Sequence, residues 1–527
     1  MCGIFAYSGK EHDVTELSVH FGKLQHRGPD YSEIRAIKPD LVFGFHRLAV
    51  NGLDTISNQP MYLKNCWLVA NAEVYNYKKL AAKYRFELTT HSDCEIIIHM
   101  YRRFGIERTL KELDAEFAFA LYDTSNGQLF AARDHLGVRG LYVGRSQGSD
   151  SVAFASEAKG LTFMEQIRQF PPGSWWSAAA PEAFHTYFQH QYPVHDEEEG
   201  RGMYRQIRYL LSEAVKKRLM SDRPIGSLLS GGLDSSLVSA LVMRHRSHEA
   251  PVETFSIGMP GSPDLEAAQE VADFIGSTHH SVELKEEDFL KVLEETIYVT
   301  GSFDVTTIRA SVGHMLISRY VRDHSDVKVL FTGETIDEMG SYLYFQNAPS
   351  PAHFQDEAVR LLKDIHFFDM LRGDRSISSA GLEARVPFSD QSFLRYYMGI
   401  DPKIRMFDGK RIEKHPLRRA FAEEKLLPDS VLWRRKNGFS DSVSQQNRSW
   451  SVILQEYIDE RVSQEEFIRE RTKFHHNPPQ TKEAYYYRKV FEGFYGNQPL
   501  TPYTWLPKWC GEVVDPSARV LPMYAAD

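Results

Sequence analysis

The stretch Leu228-Leu229-Ser230-Gly231-Gly232-Leu233-Asp234-Ser235-Ser236 puts reactive side chains where backbone geometry can use them. Ile225 to Leu229 is apolar and reads as a strand, and an apolar helix is expected from near Ser235 through Leu241. Gly231 and Gly232 lie between them without Cβ atoms, so the backbone can approach a ligand closely, and the first N–H groups of the helix lack intrahelical partners. Such an end attracts anions. Ser230, Ser235 and Ser236 add hydroxyls, while Asp234 would repel a bare phosphate but can hold a magnesium ion bridging to one. A nucleotide phosphate suits these residues; a glycine turn capped by Asp or Ser is the plainer alternative.

Cys2 is a second candidate. Methionine is commonly removed before a small residue, which would leave this cysteine with a thiol and a free α-amine side by side. An α-amine titrates near pH ~8 and can take the thiol proton with no separate histidine. Three further stretches carry chemistry. Phe303 to Ser311 sets the hydroxyls of Thr306 and Thr307 and the guanidinium of Arg309 at a helix start, a nest for pyrophosphate or a carboxylate, or simply a capped helix. In Thr332-Gly333-Glu334-Thr335-Ile336-Asp337-Glu338, which follows a strand ending at Phe331, Glu334 and Asp337 emerge where a nucleotide would lie. Asp337 and Asp234 could then share magnesium. Trp433 to Asp441, which contains Lys436, is a basic turn; as a charge run it would ordinarily be a solvated face.

Two kinds of framework must position these groups. From Cys2 to about Tyr187 short strands alternate with turns (Ile4 to Tyr7, Leu41 to Phe45, Trp67 to Ala70, Phe117 to Tyr122, Gln128 to Ala132, Val152 to Ala155). Two helices interrupt them. One spans Val74 to Tyr84, and the other follows Ser92-Asp93, whose side chains can cap it, burying Ile96, Ile97, Met100 and Tyr101. This predicts a sheet-rich α+β layered domain over residues 2–190. The acidic stretch from Gln189 to Arg201 reads as a solvated connection. Over 201–527 strands and helices alternate (helix Met203 to Leu219, strand Glu253 to Ile257, helix Asp264 to Ile275, strand Val327 to Phe331), which predicts an α/β domain with a parallel sheet and ligands at the strands' carboxyl ends.

The 527 residues suit two to four domains, and 42% hydrophobic content suffices for packed cores. A net charge of -9 argues against a general nucleic-acid binder. The four cysteines are scattered, with no zinc or disulfide spacing, and no apolar run suits a signal peptide or membrane span, so a reducing cytoplasm is expected.

Ser-Gly-Gly-Leu-Asp-Ser-Ser resembles the pyrophosphate loop of the ATP pyrophosphatases, which split ATP into AMP and pyrophosphate. Arg27-Gly28-Pro29-Asp30, His46-Arg47-Leu48, Asn71-Ala72-Glu73-Val74-Tyr75-Asn76, Ser92-Asp93-Cys94-Glu95 and Arg133-Asp134-His135-Leu136-Gly137 resemble, in that order, the blocks of class II glutamine amidotransferases, which have the N-terminal nucleophile hydrolase fold. By that resemblance Cys2 attacks the glutamine amide, Arg47 holds the substrate carboxylate, Asp93 and Glu73 receive its amine, and Asn71 with the N–H of Ala72 forms an oxyanion hole. Relatives usually carry glycine where this chain has Ala72, whose methyl group would be strained if φ there were positive. They also often carry glycine in place of His91. Together with Leu382-Glu383-Ala384-Arg385-Val386-Pro387-Phe388 and Tyr342-Leu343-Tyr344-Phe345, these strings resemble the glutamine-hydrolysing asparagine synthetase family from Cys2 to about Tyr487.

That resemblance implies glutamine, aspartate and ATP as substrates, with Mg2+. It sets ATP on Leu228, Ile257 and Gly333, pyrophosphate on Ser230, Gly231, Gly232, Asp234 and Ser235, and metal on Asp234 and Asp337. Lys436 would stabilise phosphate charge, Glu334 would act as base for the ammonia attack, and Thr306, Thr307 and Arg309 would hold the activated intermediate. Relatives often form dimers, so a homodimer is carried over by analogy. The alternative is an amidotransferase whose second site acts on another acid or is impaired. In Thr335 to Ser341 this chain has two β-branched residues where relatives show Gly-Ser, and it is one residue shorter, which predicts either an altered loop path or an altered distance of Asp337 from the phosphates.

Overall fold

The computed structural model describes residues 1–246, 251–408, 411–435, 438, 443–445 and 448–517. Two six-stranded antiparallel sheets build the first half. One orders its strands Gln166–Gln169, Tyr142–Arg145, Val152–Ala155, Gly3–Ser8, Leu41–Arg47 and Tyr31–Lys38. The other orders Phe184–Thr186, Ser174–Ser177, Gln128–Arg133, Ala115–Asp123, Cys66–Val74 and Met61–Leu63. Alternation along the strands sends one set of side chains between the sheets, where Ile4, Ala6, Phe43, Phe45, Val69, Ala118, Ala120 and Phe154 form one core. The opposite faces are covered by helices: Phe5 and Tyr7 pack with Leu17 and Phe21 of the helix Val14–Gly22. Leu68, Ala70 and Phe119 pack with Ile96, Ile97 and Met100 of the helix Glu95–Glu112. The layering is helix, sheet, sheet, helix.

The second half is organised on a five-stranded sheet in the order Thr278–Glu283, Glu253–Gly258, Ile225–Leu228, Val329–Phe331, Glu383–Arg385, with every pairing parallel. Its central strands Ile225–Leu228 and Val329–Phe331 are short and mainly apolar, as expected when helices cover both faces, while the edge strands Thr278–Glu283 and Glu383–Arg385 carry polar residues. Chain order runs outward in both directions from Ile225–Leu228, so a crevice opens where the segments after Leu228 and Phe331 diverge.

Several local readings change in three dimensions. The helix expected from Val74 starts at Tyr77, because Val74 closes the strand opposite Ala115. Ser92 and Asp93 do not cap the next helix: the Asp93 carboxylate accepts the Val74 N–H at 2.6 Å, and Glu95 folds back to accept the N–H groups of Thr89 and Thr90. Ile96, Ile97, Met100 and Tyr101 are buried as expected. The helix after the glycine loop runs Leu233–His245, longer at both ends than its apolar core suggests. The acidic connection is fastened rather than free, with Tyr192 buried, the His195 N–H on the Gly399 carbonyl at 2.7 Å and Tyr396 on Glu197 at 2.6 Å.

Candidate active sites

Cys2 leads into the strand Gly3–Ser8 and is held through its backbone: its N–H donates to Asn71 Oδ1 at 3.1 Å and its carbonyl accepts Arg27 Nε at 3.0 Å. The thiol faces the Leu48 carbonyl at 3.6 Å. Burial pushes it up, and the neighbouring Met1 ammonium pulls it back. Met1 itself is fully buried, its ammonium on the Leu382 carbonyl at 2.9 Å.

Asn71 Nδ2 is buried with no protein partner. Ala72 lies opposite Phe117, whose N–H and carbonyl are both engaged by Asp134, while Ala70, of the same parity, gives its N–H to Gln59 at the strand's other edge. The Ala72 N–H therefore points out of the ladder. Ala72 is not among the residues with positive φ, so the strain foreseen for its methyl group is absent. Glu73 accepts Asn51 Nδ2 at 2.7 Å and pairs with Arg385 at 2.9 Å; Asn51 went unnoticed in the sequence because no local spacing marks it. Burial lifts the Asp93 carboxyl to about 6. Arg47 is buried and donates to Asn58 at 2.6 Å and to the carbonyls of Asp54 and Gly52. His91 stands exposed, paired with Asp54.

The second cleft lies at the carboxyl ends of the parallel strands. Leu228, Ser230, Gly232, Asp234, Ser235, Ile257, Gly333, Glu334 and Asp337 all line it. Gly231 does not, but its φ of +71° and the Ala267 backbone 2.6 Å from where a Cβ would sit leave room for no other residue. At Gly333 a Cβ would fall 2.7 Å from the Ser235 nitrogen, so the two phosphate-side segments touch through this glycine. Ser230 and Ser235 share a hydroxyl bond at 3.0 Å.

Asp234 and Asp337 converge on one cation, the buried Lys414 ammonium, at 2.5 and 2.7 Å. Lys414 was not singled out from sequence. It reaches the cleft because φ of +58° turns the chain just before the helix His415–Phe421, and no local pattern announces that. The paired carboxylates fit a hard divalent cation. No group of three or more His, Cys, Asp or Glu side chains suited to a metal gathers among the described residues, so ligand oxygens would complete its shell.

Burial pushes Glu334 up, opposed by Arg372, and holds His314, 3.8 Å away, down at about 3. Tyr342 donates to Glu338 at 2.8 Å and to Asp369 at 2.5 Å, and Arg372 pairs with Asp369. Thr335 takes φ +91°, and its hydroxyl is buried without a partner.

Thr306, Thr307 and Arg309 do not line the cleft. Thr307 donates to Asp304, which caps the helix, and the Arg309 guanidinium is taken by Glu483 (2.6 and 2.8 Å) and Asp515 (2.8 and 2.9 Å). Lys436 lies outside the described residues. Its neighbours Arg434 and Arg435 line the cleft, and Arg434 donates to the Gly231 carbonyl at 3.2 Å, so this basic turn is not merely a solvated face.

Comparison with known proteins follows this division. Residues 1–222 match a glutamine amidotransferase domain model, and 206–351 with 346–510 match the asparagine synthase model. The chain is 41% identical to "Asparagine synthetase [glutamine-hydrolyzing]" of Bos taurus over 100% of its length and 99% of the relative's. Proteins of that name from Cricetulus griseus and Homo sapiens are 40% identical over 99% of both chains. A nucleophile pocket on a pair of antiparallel sheets, a phosphate-suited cleft on a parallel one and this full-length identity place the chain in the family of glutamine-hydrolysing asparagine synthetases.

Proposed function

We propose that this chain makes asparagine from aspartate, ATP and glutamine in two reactions. The observation that carries the reading is the pairing, in one chain, of a half-buried thiol beside an unpartnered amide donor with a cleft whose glycine loop and carboxylates suit a nucleotide and its metal. We place the domain boundary in the 191–200 connection.

In the first reaction the Cys2 thiol attacks the glutamine amide carbon. Removal of Met1 would put the new α-amine where the Cys2 N–H now lies, and because Met1 is fully buried, removal must precede folding. Arg47 holds the substrate carboxylate, and Asp93 and Glu73 hold its amine. The oxyanion is met by Asn71 Nδ2, which has no protein partner, and by the Ala72 N–H, which points out of the ladder. Ammonia and glutamate result.

In the second, a carboxylate oxygen of aspartate attacks the α-phosphorus of ATP, giving β-aspartyl-AMP and pyrophosphate. Leu228, Ile257 and Gly333 hold the nucleotide, and Ser230 to Ser235 with Lys436 hold the phosphates. A magnesium ion held by Asp234 and Asp337 would supply further charge neutralisation when bound. Glu334, whose raised affinity for a proton suits a base, takes one from the attacking ammonia as AMP leaves. Thr306, Thr307 and Arg309 are assigned to the intermediate on resemblance alone; Arg309 is taken by Glu483 and Asp515, whereas Arg372 and His314 line the cleft. Water would destroy the adenylate, so ammonia passes inside, between the domains. We assign the enzyme to the cytoplasm; no described helix is long and apolar enough to cross a membrane.

The test is to incubate purified chain with aspartate, ATP, magnesium and glutamine. Asparagine, AMP and pyrophosphate in matched amounts are expected. Glutamate alone would favour an amidotransferase with another acid or an impaired second site.

A further inference from the structure

Arg385 belongs to the second domain by chain position and to the first pocket by its side chain. It ends the edge strand Glu383–Arg385 of the parallel sheet, beside Phe331. Its carbonyl accepts the Thr332 N–H at 3.0 Å, which fixes it to the first residue of the Thr332 to Asp337 segment that lines the nucleotide cleft. The guanidinium points away from that cleft. Nη2 lies 2.9 Å from Glu73 Oε2, Nε 2.7 Å from Glu383 Oε1, and Nη1 donates to the Arg218 carbonyl at 3.1 Å.

Glu73 hands the contact on: its Oε2 accepts Asn51 Nδ2 at 2.7 Å, and the Asn51 carbonyl lies 3.4 Å from Arg47 Nη2. A continuous path therefore joins the first residue after Phe331 to the two side chains assigned to the α-carboxylate and α-amine of glutamine, Arg47 and Glu73. A simple interdomain ion pair would explain Arg385 if its partner were remote from the thiol pocket. Glu73 is two residues from Asn71, which holds Cys2, so movement of one is felt by the other.

We propose that Arg385 is a positioning residue of the glutamine pocket, supplied by the synthetase domain: it orients Glu73 for the glutamine amine and couples that carboxylate to the Thr332 to Asp337 segment. This rests on the glutamine-pocket reading above. A planar fork held at three sites is needed, since a lysine would carry the charge but reach only a single point. The pocket is then incomplete without the second domain, and occupancy of the nucleotide cleft would alter glutamine affinity.

The experiment compares the full-length native chain with Arg385→Lys, Glu73→Gln and the double variant. Glutaminase kcat and KM are measured with and without aspartate and ATP, alongside ammonium-dependent synthesis as a measure of folding. Arg385→Lys is expected to raise the glutamine KM about tenfold or more, as the breaking of a buried ion pair implies, and to abolish the effect of ATP and aspartate on that KM. Adding it to Glu73→Gln should cost little more than Glu73→Gln alone. An unchanged KM, additive effects, or a glutaminase loss matched by an equal loss of ammonium-dependent synthesis would overturn the proposal. Failure of the underlying reading shows itself separately, as glutaminase activity that survives Cys2→Ala.

Discussion

The two pockets differ in what their side chains already hold. Around Cys2 most polar groups are committed, Arg47 to Asn58 and nearby carbonyls, Asp93 to Val74, Glu73 to Asn51 and Arg385, while Asn71 Nδ2 is a buried donor without a protein partner. The cleft at the parallel sheet instead crowds Asp234, Glu334, Asp337, Glu338 and Asp369 together, with Lys414 and Arg372 among them. Burial and the neighbouring Asp369 push Glu338 well above the usual carboxylate range. A pocket for a small zwitterion can be built to shape in advance, whereas a pocket suited to a polyanion and its cation sets carboxylates beside the cationic side chains of Lys414, Arg418, Arg434 and Arg435.

If the pockets are chemically separate, the largest effects fall on one alone. Cys2→Ala is expected to abolish glutamine-dependent asparagine formation while synthesis from added ammonium continues; residual glutaminase activity would break the comparison. Asp234→Asn should do the reverse, cutting ammonium-dependent synthesis severely and sparing basal glutaminase, because it weakens the cation site and not the thiol. Unchanged ammonium-dependent turnover would remove the metal role.

A smaller effect separates the pockets by pH. Asp93, raised by burial to about 6, is ionised above that pH and protonated below it. Only the carboxylate can hold the glutamine amine, so the glutaminase KM should rise several-fold as pH falls through about 6. A flat KM across that window would take Asp93 out of amine binding.

The smallest concerns Thr335. Positive φ at a β-branched residue costs on the order of 1–3 kcal/mol, and here it sits in the cleft lining. Ile336, the other β-branched departure, is fully buried and needs no positive φ. The native chain is expected to release more than one glutamate per asparagine at saturating ATP, and Thr335→Gly to bring the ratio toward one. An equal ratio in both would show the strain to be neutral.

What the sequence disclosed and what it withheld follow from how local each determinant is. Ser230 to Ser236 and Glu334 to Asp337 were legible because a strand, a turn and a helix start lie within a few residues, and the parallel sheet followed from their alternation. Cys2 was legible from its position. Lys414 was not, since it meets Asp234 and Asp337 only through a left-handed turn and distant packing. Arg385 stood inside a recognisable string, but its reach to Glu73 depends on how the halves dock. Tyr192 and His195 sit in a sequence of linker composition and are tied down by tertiary contacts that composition does not report.

If the two sites work as one enzyme, ammonia passes through an interface between the halves that buried pairs such as Arg27 with Asp374 and Arg218 with Glu116 close. The most direct measurement supplies glutamine carrying heavy nitrogen in its amide together with excess unlabelled ammonium, and reads the label in asparagine. With interior passage the asparagine amide nitrogen is expected to come mainly from glutamine, far richer in label than the ammonia in solution. Asparagine with the same label content as the bulk ammonia would contradict it.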